Sequence, residues 1–212
     1  MESFIQQMVN GISLGSIYAL IALGYTMVYG IIKLINFAHG DIYMVGAFIG
    51  YGMIQNVGLG LIPAIVISML LCALLGVVIE KIAYRPLRGA TRIAALITAI
   101  GVSYLLQNLM IYFMGPERRA FPTALETRIF SFGSIQVNSQ QIVIIVTTIV
   151  LMLALQVIVK FTTMGKAMRA VSTDQDAAQL MGINVDNVIS FTFIMGSALA
   201  GAAGVLVGIY YN

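Results

Sequence analysis

A chain of 212 residues with 60% hydrophobic side chains, only 9% charged ones and a mean hydropathy of +0.98 lies outside the composition of soluble domains, where roughly a quarter of residues are charged. It holds about six spanning helices of roughly 20 residues each and little else, so residues 1–212 are expected to form one transmembrane domain, an all-α polytopic membrane helical bundle. The net charge of +3 does not point to nucleic acid, because the basic residues are spread between apolar runs instead of forming a patch.

The amino-terminal MESFIQQMVN carries Glu2 and lacks the basic region and short apolar core of a cleaved signal, so the first apolar run reads as a retained span. No charge occurs from Ser3 to Ile32, and Lys33 closes this first span. The heptapeptide INFAHGD (Ile35 to Asp41) then breaks the pattern, and a short second run, either crossing or broken and re-entrant, continues to about Val57. Leu61 to Ile79 is a third span, closed by Glu80 and containing the lone cysteine, Cys72, as a small buried side chain. Glu80 to Arg92 reads as a basic loop, with Lys81, Arg85, Arg88 and Arg92 around Pro86 and Gly89. Ile93 to Met114 is a fourth span, and Gly115 to Gln141 an external loop whose RIFSFGSIQV alternates like a small hairpin. Ile142 to Val159 is a fifth span, Lys160 to Asp186 a polar interval, and Asn187 to Asn212 a sixth, glycine-rich run.

Positive residues accumulate on the cytoplasmic side of membrane proteins. With the N-terminus outside, Lys33, Lys81, Arg85, Arg88, Arg92, Lys160, Lys166 and Arg169 fall inside, against Arg118, Arg119 and Arg128 outside. The polar interval is therefore expected in the cytoplasm. Small residues recur four apart at Gly11/Gly15, Gly46/Gly50, Ser197/Gly201 and Gly204/Gly208, a spacing that lets helix backbones approach in lipid. The last two pairs lie in a terminal helix with few chain neighbours left, which reads as an incomplete or partner-dependent end. With no Trp, interfacial anchoring is expected from Tyr84, Tyr112, Tyr210 and Tyr211.

Catalysis needs a nucleophile with a base, paired carboxylates or metal ligands. One histidine, one cysteine and no acidic residue inside a clear span make this a non-catalytic membrane subunit with no cofactor or metal of its own. Gly165-Lys166 lacks the surrounding glycine and hydroxyl residues of a phosphate-cradling loop, so any ATP belongs to another subunit. Ion-coupled carriers place ionisable groups at the bilayer midplane, and only Lys33, His39 and Asp41 come near such a position. Asn36 and Gly40 interrupt a helix there. Backbone groups freed at membrane depth are tolerated where they line a cavity or are buried in protein. Two readings stay open: Asn36, His39, Gly40 and Asp41 line a translocation path for a zwitterionic solute, or they form an inner-face connection with His39 and Asp41 solvated.

The polar interval is better specified. Thr173 is placed to cap a helix from Asp174 to Met181, with Asp176 completing a T-x-x-D box. Gly182 suits the left-handed position just past its end, and Ile183 folds back on the last turn. Ala177, Leu180 and Met181 share one face, a small apolar knob suited to a groove on a cytoplasmic partner; the alternative is a helix lying against its own bundle or the lipid interface. Gly165 to Ser172 reads as a continuation of the fifth span.

Three stretches resemble a known family. GKAMRAVSTDQDAAQLMGINVDNVISFTF looks like the cytoplasmic coupling segment of ABC-transporter permeases that import branched-chain amino acids, and YALIALGYTMVYGIIKLINFAHGDIYMVGAF looks like their N-terminal signature. IEKIAYRPLRGATRIAALITAIGVSYLLQN is similar to the same family. The resemblance implies the H-type subunit of a Leu/Ile/Val uptake system in the bacterial inner membrane. Its implied partners are a second, related permease, two cytoplasmic ATP-binding subunits and a periplasmic or lipid-anchored solute-binding protein. It places Thr173 to Val185 in a cleft of an ATPase subunit, and implies further spans beyond the GVLVG helix, where this sequence ends at Tyr210-Tyr211-Asn212. Similar permeases are also associated with urea, short amides and other amino acids. A reading of another class is an ATP-independent carrier or channel.

Overall fold

A computed structural model describes residues 2–87, 90–117, 119–122, 128–132 and 135–211. Arg88, Gly89, Arg118 and Asn212 of the segments above lie outside the described residues. Five helices are long and apolar enough to cross a membrane: α1 (Glu2–Ile32), α3 (Leu61–Ile79) with its continuation, α4 (Arg92–Met114), α5 (Ser139–Phe161) and α8 (Val185–Tyr210). The shorter α2 (His39–Gln55), α6 (Thr163–Thr173) and α7 (Gln175–Leu180), with the hairpin strands β1 (Ile129–Phe132) and β2 (Ile135–Asn138), complete the described elements. The chain is an all-α, multi-pass membrane bundle. The alternation in RIFSFGSIQV is an antiparallel pair with Phe130 opposite Val137.

One end of the bundle carries the hairpin, where Gln6 of α1 bonds the Gln136 backbone and Asn10 accepts from Gln141 of α5. The other end carries α6 and α7. The helices alternate between these ends, so Lys33, Arg85, Lys160 and Arg169 share the α7 end while Arg119 and Arg128 share the hairpin end.

Helix α8 is the centre of the bundle, packed on α1, α2 and α3. Its small residues let three helices approach backbone to backbone, which is how helices associate where lipid gives no hydrophobic drive. A Cβ on Gly201 would lie 2.7 Å from the Ser68 carbonyl of α3, and one on Gly46 of α2 would lie 2.7 Å from the Gly201 Cα. On α1, a Cβ on Gly24 would lie 2.8 Å from the Gly196 carbonyl. Ser68 Oγ donates both to Gly46 O and to Gly201 O, 2.9 and 3.1 Å away, joining α2, α3 and α8 inside the core. A helix at the end of the sequence met its neighbours earlier in the chain, which a count of remaining residues does not reveal.

Glu80 does not end the third span. The helix continues through a π-helical turn (Glu80–Tyr84) and a 3-10 turn (Arg85–Leu87), the irregular single turns that accommodate an inserted residue. Glu80 is fully buried and accepts from Ser190 Oγ of α8 at 2.8 Å, so an acidic residue does lie within a spanning helix. Tyr84 likewise is inside the protein, while Tyr112 and Tyr211 are exposed. Cys72 is buried, its Sγ 3.6 Å from Ile42 O.

Candidate functional site

Two groups of predicted residues occupy different depths. The first surrounds the start of α2. Gly196 and Ser197 stand at the middle of the 26-residue α8, and His39, the first residue of α2, packs against Gly24 at that level. Helix α2 therefore begins inside the bundle, with Gly46 and Gly50 facing Gly201 and Val205 of α8, and runs about 26 Å, at 1.5 Å per residue, to the hairpin end. On the α7 side it is preceded by the non-helical segment 33–38. Lys33 takes a left-handed conformation, φ 57°, that turns the chain back into the bundle.

This break is buried in protein, as exposed backbone at membrane depth must be. Asn36, His39 and Asp41 are 3%, 1% and 7% exposed, so His39 and Asp41 are not solvated as the connection reading expects; Gly40 stays accessible. The Tyr84 hydroxyl donates to Asn36 Oδ1 at 2.8 Å, and Gln107 Nε2 of α4 donates to Asp41 Oδ1 at 2.9 Å. His39 lies edge-on to Tyr25, ring centroids 5.9 Å apart. Asn36 Nδ2 and His39 Nε2 have no hydrogen-bond partner among the described residues, which in a buried polar pair is a costly arrangement.

The second group forms the α6–α7 unit. Gly165 to Ser172 does not continue α5. Thr162, at φ −85° and ψ 158°, ends α5 and caps α6 by accepting from Gly165 N at 3.0 Å. The reversal is so tight that a Cβ on Gly165 would meet the Ile158 and Val159 carbonyls. The Arg169 guanidinium folds back to donate to Val159 O, with Lys160 O 3.4 Å away. These are carbonyls of the last turn of α5, which have no partner within the helix and favour a cation.

Thr173 is not the cap of the next helix. It is the last residue of α6, and its hydroxyl donates back to Arg169 O at 3.0 Å. Asp174 is the cap: its Oδ1 accepts from the N–H groups of Asp176 and Ala177, both at 3.0 Å. A carboxylate there is favoured by the open N–H groups and by the helix dipole. Helix α7 is accordingly Gln175–Leu180 rather than Asp174–Met181. Its stop follows the sequence expectation. Gly182 is left-handed at φ 83°, Gly182 N donates to Gln179 O and Ile183 N to Ala178 O, both at 3.0 Å, the paired bonds of a Schellman turn.

The inward side of α7 is Ala178, buried among Met168, Val171, Val188 and Ile189, with Ile183 packed alongside. Leu180 and Met181 point outward, 88% and 83% exposed, with Ala177 exposed beside them. The knob does not fold onto its own bundle. Sequence reasoning passed over Gln175, whose Nε2 donates to Ile31 O at 2.7 Å, and over Arg85, paired with Asp186 at 2.8 Å. It took Tyr84, which bonds Asn36 inside the bundle, for an interfacial anchor and passed over Gln107. Polar residues inside apolar runs were the available signal, since each must find a partner in the bundle.

Comparison with known proteins agrees over nearly the whole chain. Residues 7–212 match the family model described as branched-chain amino acid transport system / permease component. The chain is 42% identical over 222 positions to the high-affinity branched-chain amino acid transport system permease protein BraD of Pseudomonas aeruginosa, covering 99% of this chain and 72% of that protein. It is 43% identical over 226 positions to the LivH permease proteins of Salmonella typhimurium and Escherichia coli, with the same coverage. A probable LivH of Methanocaldococcus jannaschii is 27% identical over 199 positions, covering 89% of this chain and 61% of the relative. No solved structure matches. An all-α bundle with a buried helix break and a capped knob at one end, aligned with these permeases along its length, belongs to the branched-chain amino acid transport system permease family, H-type.

Proposed function

We propose that this chain is a permease subunit of an ATP-driven importer of branched-chain amino acids in the bacterial inner membrane, with the α7 end in the cytoplasm. Two cytoplasmic ATP-binding subunits hydrolyse ATP, a second related permease completes the path, and a periplasmic or lipid-anchored binding protein delivers the solute. The cargo reading draws on the functions named for the BraD and LivH relatives. The chain itself catalyses nothing in this scheme.

The observation that carries the coupling role is the knob. Leu180 and Met181 are almost fully exposed on a helix capped at both ends, and a rigid apolar projection beyond a membrane bundle suits a groove on a partner protein. Thr173, Asp174, Asp176, Ala177, Gly182 and Ile183 shape and orient it. Asn36, His39, Gly40 and Asp41 form part of the path, supported by the burial of Asn36, His39 and Asp41 at a helix start inside the bundle, with Gly40 accessible beside them, and by the unpartnered amide and imidazole nitrogens. ATP binding in the partner moves α7, and the bundle exchanges between outward-open and inward-open states to which the ATPase binds unequally, since equal affinity shifts nothing.

The test is Leu180→Glu in the assembled transporter. Expected is loss of leucine uptake at unchanged membrane abundance, with ATP hydrolysis no longer stimulated by the loaded binding protein. Wild-type uptake by this variant refutes docking through the knob.

A further inference from the structure

The hairpin end, opposite the knob, contains a recess that none of the coupling residues touches. It lies between α2, the end of α8 and the segment after α4, and encloses about 370 Å³, within the roughly 300–1,000 Å³ typical of small-molecule pockets. Phe48 and Tyr51 of α2 and Val207 of α8 line it together with Phe121. Phe121 is 8% exposed and meets Tyr51 edge-on, centroids 6.4 Å apart. Its ring occupies the space that a side chain on Gly208 would fill, so the glycine of α8 is what admits the aromatic wall.

Two opposite charges also line this recess, Glu117 and Arg119. The Arg119 guanidinium sits 5.8 Å from the Tyr51 ring centroid, and its Nη2 donates to Met114 O at 2.6 Å. Those contacts hold the planar fork against the aromatic wall and use one of its five N–H donors. Among the described residues no ion pair within 4.0 Å joins Glu117 to Arg119.

We propose that this recess receives a free α-amino acid with a branched aliphatic side chain, its carboxylate on Arg119, its ammonium on Glu117 and its side chain against Phe48, Tyr51, Phe121 and Val207. The two charges select a zwitterion and the apolar wall an apolar side chain, while the branched side chain comes from the cargo reading. An anion without an ammonium meets the Glu117 charge, a cation without a carboxylate meets Arg119, and a neutral hydrocarbon leaves both charges without a partner. A guanidinium offers a carboxylate two parallel donors, and two residues of separation on one short segment bring the complementary carboxylate to the neighbouring ammonium. Helix α2 then runs from this recess to the polar break at Asn36 and His39, so one rigid element spans both places. The inference rests on the reading that branched-chain amino acids are the cargo.

The test is binding of radiolabelled leucine to the purified full chain in lipid nanodiscs, with leucinamide, 4-methylpentanoate and glycine as competitors. Expected is displacement by unlabelled leucine, with each of the three analogues at least about tenfold weaker. Arg119→Gln and Glu117→Gln each weaken leucine by about tenfold or more; Glu117→Gln leaves the heat-unfolding midpoint in place, and Arg119→Gln lowers it only by the loss of its contacts to Met114 O and Tyr51. Equal competition by leucinamide, or leucine binding unchanged in Arg119→Gln, overturns the site. Leucine uptake by the assembled transporter alongside no leucine binding to the chain overturns the site and leaves the cargo reading standing. Arg119-dependent leucine binding in an assembly that imports a different solute supports the site and removes the cargo reading.

Discussion

The side-chain amide of Gln175 donates to the backbone carbonyl of Ile31 over 2.7 Å, so the first residue of α7 closes the C-terminal turn of α1. That carbonyl is one of the four at a helix end with no partner inside the helix. Arg169 does the same for α5, and Arg85–Asp186 ties the extension of α3 to the start of α8. The knob is thus joined through α6 and its flanks to the ends of four spanning helices, which is the connection a force on α7 needs in order to reach the bundle.

Gln175→Leu removes this link while keeping the side chain's bulk. A hydrogen bond of this kind contributes about 0.5–1.5 kcal/mol net, too little to unfold the chain. Expected is an unfolding midpoint near wild type but leucine uptake reduced several-fold, with ATP hydrolysis by the assembly retained. Parallel measurement of uptake and phosphate release checks it, and an unchanged ratio of the two refutes the link.

Asp174 and Thr173 separate by the same logic. Losing an N-cap carboxylate costs about 0.5–2 kcal/mol, so Asp174→Ala loosens α7. Amide hydrogen exchange over residues 175–183 is expected to accelerate by roughly tenfold per 1.4 kcal/mol. Thr173→Val loses only a bond back to Arg169 O within α6 and leaves that exchange within about twofold of wild type. Equal acceleration in both variants restores Thr173 as a cap.

The spans and the knob were legible because apolar runs, caps and glycine stops act locally. The α7 terminus at Gly182 and Ile183, the hairpin and the family signatures all came from short-range patterns. Three features escaped for physical reasons. A charge ends an apolar run in a hydropathy scan, yet backbone bonding carries a helix on, so Glu80 was placed in a loop although no helix breaker precedes Pro86. The reversal at Thr162 contains no proline, and its signal was the T-x-x-G cap reaching Gly165. The central place of α8 depends on which helices surround it, and spacing within one helix says only that something approaches closely.

That closeness separates glycines that look alike in sequence. A Cβ on Gly76 would run into the Ser197 side chain, and one on Gly201 would lie 2.7 Å from Ser68 O and 2.9 Å from Cys72 Cβ. Gly11 and Gly15 have nothing within 4 Å. Overpacking costs typically about 1–3 kcal/mol, whereas an unobstructed Gly→Ala in a helix gains up to ~1 kcal/mol. Gly76→Ala and Gly201→Ala are expected to lower the heat-unfolding midpoint in detergent, and Gly11→Ala and Gly15→Ala to hold or raise it. Size-exclusion profiles after a temperature series read the order.

The bond between Tyr84 and Asn36 admits the sharpest test of the polar break. Asn36 already has an unpartnered Nδ2, so Tyr84→Phe leaves the buried amide without its Oδ1 partner as well, at a cost of about 1–3 kcal/mol. Asn36→Leu leaves the Tyr84 hydroxyl buried instead, a loss of similar size. The double variant removes both polar groups together, and replacing both partners by apolar ones is close to neutral. The expected cycle therefore has two destabilised singles and a double more stable than their sum, by about 1 kcal/mol or more. Uptake should separate from stability in the same set. If the unpartnered nitrogen serves the path, the double variant unfolds near the wild-type midpoint yet transports leucine poorly. A double variant that transports at the wild-type rate removes Asn36 from the path and leaves it a structural residue bonded to Tyr84.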